Sequence, residues 1–273
     1  MSYDYLVVSD MDYTLLMTGK EISEENKRAV KALSDNNIAF SLATGRCPFM
    51  IGKYIDELNL NVPIICSNGA VLYDPQTESN LYSADIPFAK VKDIIIPLLE
   101  RGLDVTGYSD KGIYLSENNS RRDFFANYNR NLPQNRKAVL KEFKDTNLTQ
   151  DGPSFNKFLI INCPDDVSAK LNEDADLEIE KSAATFTDIM LKGQTKGKTL
   201  MKLADILRIS HKNTFALGDS DNDLSMIKES GTGIAMQNSV PEILRCADIV
   251  TSSCEDNGFA KAVYDIIIPK CNS

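Results

Sequence analysis

Apolar and polar residues alternate in blocks along the first 70 positions. Tyr5–Ser9 is a short apolar run of strand length, and a second such run covers Ala39–Ala43. Between them, from about Ser23 to Asn36, the apolar residues recur at helical spacing. Ala29, Val30 and Leu33 share one side, and Ser23 stands where an N-cap belongs. Pro48 suits the first turn of a helix reaching about Leu58, and Ile64–Cys66 forms a further strand before "SNGA". Strands separated by helix-length segments predict β-α-β units and a parallel sheet.

The rhythm changes after about residue 85. "LDVTGYSDKGIYLSE" reads as two strands joined by a Ser-Asp-Lys-Gly turn. "FNKFLIINCP" is a strong strand, and "LEIEKS" and "FTDIMLKG" form a closing pair. Helical patterns at about Phe88–Arg101 and Ser120–Arg130 lie between these strands, an α+β arrangement. From about residue 189 the β-α rhythm returns, with a helix at about Lys198–Leu207, a strand at Thr214–Leu217 and a helix near Leu224–Glu229. The expected architecture is therefore α/β: a doubly wound, mostly parallel, Rossmann-like sheet built from 1–84 and 189–273, with an α+β domain inserted at 85–188. In open sheets of this kind the site lies beyond the carboxyl ends of the strands.

Composition narrows the partners. The 273 residues are 42% hydrophobic and 25% charged, ordinary for a globular protein, and carry a net charge of −9. An acidic surface argues against nucleic acid or an anionic membrane as partner. Six cysteines are scattered without a C-x-x-C pair, which fits reduced thiols in a cytoplasm. The apolar runs are too short for a signal peptide or a membrane span. His211 is the single histidine, so His-rich metal sites are excluded.

Four polar clusters fall at predicted strand ends or helix starts: Asp10-Met11-Asp12, Thr44-Gly45-Arg46, Lys196 in "GQTKGK", and "GDSDND" at 218–223. Each alone has a plain structural reading as a turn, a cap or a solvated lysine. A calcium loop starting at Asp219 fails, because Leu224 stands where glycine is needed and Ser230 where a glutamate is needed. Brought to one sheet edge, Asp10, Asp12, Asp219 and Asp223 would repel strongly. Two unit charges 4 Å apart cost about 4 kcal/mol at an effective dielectric near 20. Converging carboxylates without His or Cys call for a hard cation, magnesium first. Thr44, Lys196 and loop amides then supply donors for a phosphate. In that reading Asp10 attacks phosphorus and Asp12 acts as general acid and base.

At this point the chain resembles the haloacid dehalogenase-like hydrolases. D-x-D-x-T after the first strand, Thr in "ATGR", a later Lys-Gly and G-D-x-x-N-D stand in that family's order. "SNGA", "GIAMQNSVPEILRCADIVTSS" and "EDNGFAKAV" resemble its Cof-type branch, subclass IIB, whose cap is inserted where the middle third lies here. The resemblance implies a magnesium-dependent phosphomonoester hydrolase of small phosphorylated metabolites such as sugar phosphates, working through an aspartyl-phosphate. It implies Asp10, the Asp12 carbonyl and Asp219 as magnesium ligands, with Asp223 behind them or bound through water. It implies Thr44, Gly45, Lys196 and Asn222 as phosphate-binding residues, and the insertion as the part that selects substrate. Asn68 and Asn238 match positions near the site, Arg46 is a candidate to face the substrate, and Tyr108, Tyr114 and Lys157 are candidates to line a pocket in the insertion. A cytoplasmic monomer or weak dimer is expected. A phosphotransferase or mutase on the same scaffold, and a regulatory protein with little turnover, are the alternatives.

One motif position departs from the family. Tyr13 stands where glycine is usual. Because every charged motif residue is kept, the expectation is that its backbone stays in an ordinary region and the ring merely fills space beside the entrance to the site.

Overall fold

The structure is a computed structural model describing residues 3–18, 21–130, 132–149 and 151–272. The chain divides into two compact units, one of Met1–Gly45, Tyr54–Leu81 and Thr195–Ser273, the other of Arg46–Lys53 and Tyr82–Gln194.

The first unit is built on a five-stranded sheet in the order Ile249–Val250, Thr232–Ala235, Thr214–Gly218, Tyr5–Ser9, Ile38–Leu42. Every neighbouring pair is parallel. The first strand therefore sits in the middle, between Thr214–Gly218 on one side and Ile38–Leu42 on the other. The chain winds away from it in both directions, which makes its carboxyl end the topological switch point where such sheets open a crevice. Leu6, Val7 and Val8 are wholly buried, as a central strand covered on both faces requires. A parallel bridge from Ala43 to Ile65 continues this edge, and Ile64–Cys66 pairs antiparallel with Val71–Asp74.

Local signals explain the helices. Ser23 caps Glu24–Asp35 by accepting a hydrogen bond from the Asn26 amide, Glu24 and Glu25 occupy the first turn, and Ala29, Val30 and Leu33 are buried. Buried Asn26 ties this helix to two loops, donating from Nδ2 to the Leu15 carbonyl at 2.9 Å and accepting from the Ala260 amide at 3.2 Å. The helix expected from about Lys198 starts at Lys196, because Thr195 provides the cap by accepting from the Lys198 amide. The helix expected from Pro48 is a single 3-10 turn, Pro48–Met50, and regular helix begins at Gly52.

The second unit carries a six-stranded sheet in the order Leu177–Ala183, Phe186–Leu191, Lys157–Ile161, Val105–Ser109, Gly112–Leu115, Leu140–Glu142. Its pairs are antiparallel except the last, which is parallel. The strand Phe186–Leu191 pairs on both sides within this sheet, so the compact unit runs to Gln194, past residue 188. One sheet face packs an aromatic core of Tyr114, Phe143, Phe155 and Phe158. The other gathers Tyr108, Leu115, Phe125 and Leu159 with Cys47 and Met50.

A seven-residue pattern, Val-x-Asp-Ile-Ile-Ile-Pro, occurs once in each unit, at 91–97 and 263–269. Both copies form the same structure, a π-helical turn at Val91–Ile95 and at Val263–Ile267 running into α-helix. Proline has no N–H to give the carbonyl four residues back, and a widened turn just before it absorbs the missing bond.

Candidate active site

The site is assembled at the carboxyl end of the central strand. Ser9 is level with Leu217 across the parallel ladder, and the Asp10 amide donates to the Leu217 carbonyl at 2.8 Å. The chain can thus place Asp10 beside the loop that follows Gly218. One carboxylate oxygen from each of Asp10, Asp219 and Asp223 lies within 4.8 Å of the others, and all three residues are buried. The Asp12 carboxylate is not part of this group, and its side chain is half-buried.

Lys196 is fully buried and reaches Asp10 and Asp223, each at 2.6 Å. Gly197 next to it lies flat against the backbone at Ser225, where an added Cβ would meet that carbonyl at 2.6 Å. This close approach lets the first turn of the helix carry Lys196 inward. Asp223 is held from the other side as well: its Oδ2 accepts from the Asp219 and Ser220 amides, both at 3.0 Å. Ser220 and Asp223 form a capping box on the short turn Asp221–Asp223, so both Asp223 oxygens are engaged.

Asp219 has two hydroxyl donors. Thr14 Oγ1 reaches its Oδ1 and Ser220 Oγ reaches its Oδ2, each at 2.9 Å. The sequence alone singles out neither hydroxyl. Thr14 was visible only as a letter of the D-x-D-x-T pattern, and its acceptor lies 205 residues away.

Burial lifts the Asp10 carboxyl well above its ordinary value, Asp223 adds to this, and Lys196 opposes it. Burial likewise raises Asp219 to about 6, with Asp223 contributing. Burial works against the charge on Lys196, but Asp10 and Asp223 outweigh it and hold the ammonium above its ordinary value. Three buried acids share one lysine. That imbalance, with an all-oxygen donor set, fits a hard divalent cation.

The neutral candidates form an adjoining layer. Thr44 is buried, its amide donates to the Ile65 carbonyl at 2.9 Å, and its carbonyl accepts from the Asn68 amide at 3.1 Å. Asn222 Nδ2 donates to Asn68 Oδ1 at 3.2 Å. Gly45 lies so close to the same carboxamide that a Cβ would sit 2.8 Å from Asn68 Oδ1. Arg46 falls in the second unit. His211 is exposed and pairs with Asp205 at 2.9 Å. In the second unit Tyr108, Tyr114 and Lys157 are all buried: Tyr108 accepts from Arg121 at 3.0 Å, Tyr114 belongs to the aromatic core, and Lys157 pairs with Asp188 at 3.0 Å.

Tyr13 corrects an expectation. Its φ is +64°, in the left-handed region, not the ordinary one. A non-glycine residue there costs about 1–2 kcal/mol. The ring is 51% exposed. The turn closes on itself around this residue, with the Leu16 amide donating to the Met11 carbonyl at 2.7 Å. The side chain leaves toward solvent while the backbone takes a conformation that glycine would adopt at no steric cost.

A parallel sheet with acids, a lysine and small donors at its switch point defines an enzyme that handles phosphoryl groups. The chain belongs to the haloacid dehalogenase-like hydrolases: the family pattern matches residues 7–263. It is 29% identical to phosphatase YwpJ of Bacillus subtilis over 96% of this chain and 99% of that protein. It is 28% identical to the 5-amino-6-(5-phospho-D-ribitylamino)uracil phosphatase YwtE of Bacillus subtilis, covering 96% and 97%. A crystal structure of a haloacid dehalogenase-like hydrolase from Bacteroides thetaiotaomicron superposes with a TM-score of 0.81 at 25% identity, over 97% of this chain and 100% of that one. No helix among the described residues is long and apolar enough to cross a membrane.

Proposed function

We propose that this protein is a magnesium-dependent phosphomonoester hydrolase of small phosphorylated metabolites, sugar phosphates or similar, working through an aspartyl-phosphate. The observation that carries this reading is Lys196, wholly buried and 2.6 Å from both Asp10 and Asp223, with Asp219 in the same group. A lone structural ion pair needs one carboxylate. Three carboxylates around one ammonium make a socket for a cation and a phosphoryl group. The named relatives, both phosphatases and one acting on a phosphorylated ribityl compound, point to the same chemistry.

Asp10, the Asp12 carbonyl and Asp219 would hold the cation, with Asp223 behind them. Bound there, magnesium would offset the charge of the acids and of the phosphate oxygens. Thr44, the Gly45 amide, Lys196 and Asn222 bind and orient the phosphate. An Asp10 carboxylate oxygen attacks phosphorus, and the bond to the leaving oxygen breaks as Asp12 gives that oxygen its proton. Asp12, now a carboxylate, takes a proton from water. The hydroxide equivalent attacks phosphorus, the acyl-phosphate P–O bond breaks, and Asp10 and free phosphate are regenerated. The half-buried position of Asp12, outside the acid cluster, suits a group that must exchange protons with substrate and water. The insertion, residues 85–188, is assigned the role of substrate selection. All six cysteines are free thiols, which supports a cytoplasmic enzyme, and the acidic surface supports a monomer or weak dimer that binds neither nucleic acid nor membrane.

The test is phosphate release from a panel of phosphorylated metabolites and a generic aryl phosphate, with and without magnesium. Asp10→Asn is expected to lower kcat by at least about 10³-fold, as loss of a covalent nucleophile does. Wild-type turnover in that variant would overturn the assignment. Transfer of phosphate to an added alcohol with no release of free phosphate would favour the phosphotransferase alternative.

A further inference from the structure

The nucleophile loop runs Asp10-Met11-Asp12-Tyr13-Thr14, and its conformation turns on Tyr13, the left-handed residue between two working ones. Asp12 precedes it. Thr14, which follows it, sends its hydroxyl to Asp219 at 2.9 Å. With a tyrosine here the loop has a local reason to relax toward negative φ, which would rotate the peptide planes on either side and carry Asp12 and Thr14 out of place.

Asn26 and Asp219 hold the residues that follow, and a side chain from elsewhere in the first unit holds the Tyr13 peptide itself. Asn238 Nδ2 donates to the Tyr13 carbonyl at 2.9 Å. At its other end Asn238 Oδ1 accepts from the Cys254 amide at 2.9 Å. The carboxamide is thus a two-ended link between the strained peptide and the 3-10 turn Cys254–Asp256. The same turn grips the loop a second time, through Glu255, which accepts from the Thr18 amide at 2.8 Å. A carboxamide has the one donor and one acceptor this bridge needs; an aspartate there would bring two acceptors and face the Tyr13 carbonyl with the wrong sign.

We propose that Asn238 is a positioning residue for the phosphoryl-transfer reaction, holding Tyr13 in the left-handed conformation that places Asp12 and Thr14. This rests on the roles given to Asp10 and Asp12 above. With a tyrosine in the left-handed conformation, the link from Asn238 to the Tyr13 carbonyl opposes relaxation of the turn from outside it.

The experiment is a double-substitution cycle read by two independent measurements. Asn238→Ala is expected to lower kcat on an aryl phosphate about tenfold, equivalent to ~1.4 kcal/mol, with KM within about twofold. Asn238→Asp is expected to fall at least as far. In a Tyr13→Gly background the same Asn238→Ala change is expected to cost less than about threefold, because glycine takes positive φ without help. The second measurement is amide hydrogen exchange at Thr14 and Leu16, expected to speed up in Asn238→Ala and to return toward the parent rate when Tyr13→Gly is added. A general structural role for Asn238 would instead lower Tm and give equal losses in both backgrounds, which would overturn the proposal. So would unchanged kcat or unchanged exchange in Asn238→Ala. If the wild-type protein releases no phosphate from any substrate, the proposed function fails, and the exchange cycle still decides whether the clamp exists.

Discussion

Each unit buries a lysine against carboxylate, and the two arrangements differ in charge balance. In the second unit Lys157 pairs with Asp188 at 3.0 Å, one cation to one anion, beneath the Tyr108 ring. In the first unit Lys196 faces Asp10 and Asp223 together, with Asp219 in the same group. Taking an ion pair out of water is costly, and a balanced pair repays most of that cost internally. An unbalanced group does not. Its excess charge is useful only if a cation and a polyanionic substrate complete it. A buried lysine–carboxylate contact is therefore weak as a mark of chemistry, whereas a surplus of acid around a buried lysine is a strong one.

The sharpest way to break this contrast is to remove each lysine. Lys196→Met leaves Asp10 and Asp223 buried without their shared partner. We expect kcat to fall by about 10²–10³-fold, the scale for losing a preorganised electrostatic group. We also expect the protein without added metal to lose about 3–5 kcal/mol of stability, the scale for stripping a buried pair. Lys157→Met is expected to lose stability on the same scale, read by denaturant unfolding, with only a few-fold change in kcat. The two pairs should then separate in the rescue. Replacing Lys157 and Asp188 together by Met and Leu is expected to recover most of the lost stability, since a balanced pair can be exchanged for apolar groups. No apolar pairing at Lys196 should recover turnover. If the Lys157 variant proves as inactive as the Lys196 variant, charge balance is the wrong criterion.

The same distinction explains what the sequence could disclose. The β-α rhythm, the first strand and the acid clusters are local signals, carried by runs such as Tyr5–Ser9 and "GDSDND" that can be read without knowing their neighbours. Strand ends of a parallel sheet then bring the clusters together by topology alone. The partners of those residues are another matter. Thr14 and Asp219 meet across 205 positions, and Asn238 and Tyr13 across 225. Hydroxyls and carboxamides are too common to announce such a pairing. The φ of Tyr13 is hidden from the sequence for this reason: tyrosine's own preference points to negative φ, and the force that overrides it comes from a distant side chain. Lys157, Tyr108 and Tyr114 alternate in strands as surface residues often do, but both faces of that sheet are packed, which no single strand reveals.

The smallest expected effect tests the surplus charge directly. Burial and Asp223 raise Asp219 from 3.8 to about 6. A carboxyl whose folded value lies above its unfolded one binds protons more tightly when folded. Its contribution to stability is complete below pH 3.8 and is lost as pH rises through about 6. Asp10, raised in the same direction, adds to this loss. Without metal, Tm should therefore decline across this window for reasons local to the site. Magnesium in large excess opposes the decline, because a ligand at about 100 times its Kd adds ~2.7 kcal/mol. It must compete with protons for the same oxygens, so the rise in Tm on adding magnesium should be clear at pH 7.5 and much smaller at pH 5. Asp219→Asn should flatten both the pH decline and the response to magnesium. Scanning calorimetry at the two pH values decides the matter. A magnesium response as large at pH 5 as at pH 7.5 would mean that the cation binds elsewhere, and that the three acids around Lys196 are balanced by something other than a metal.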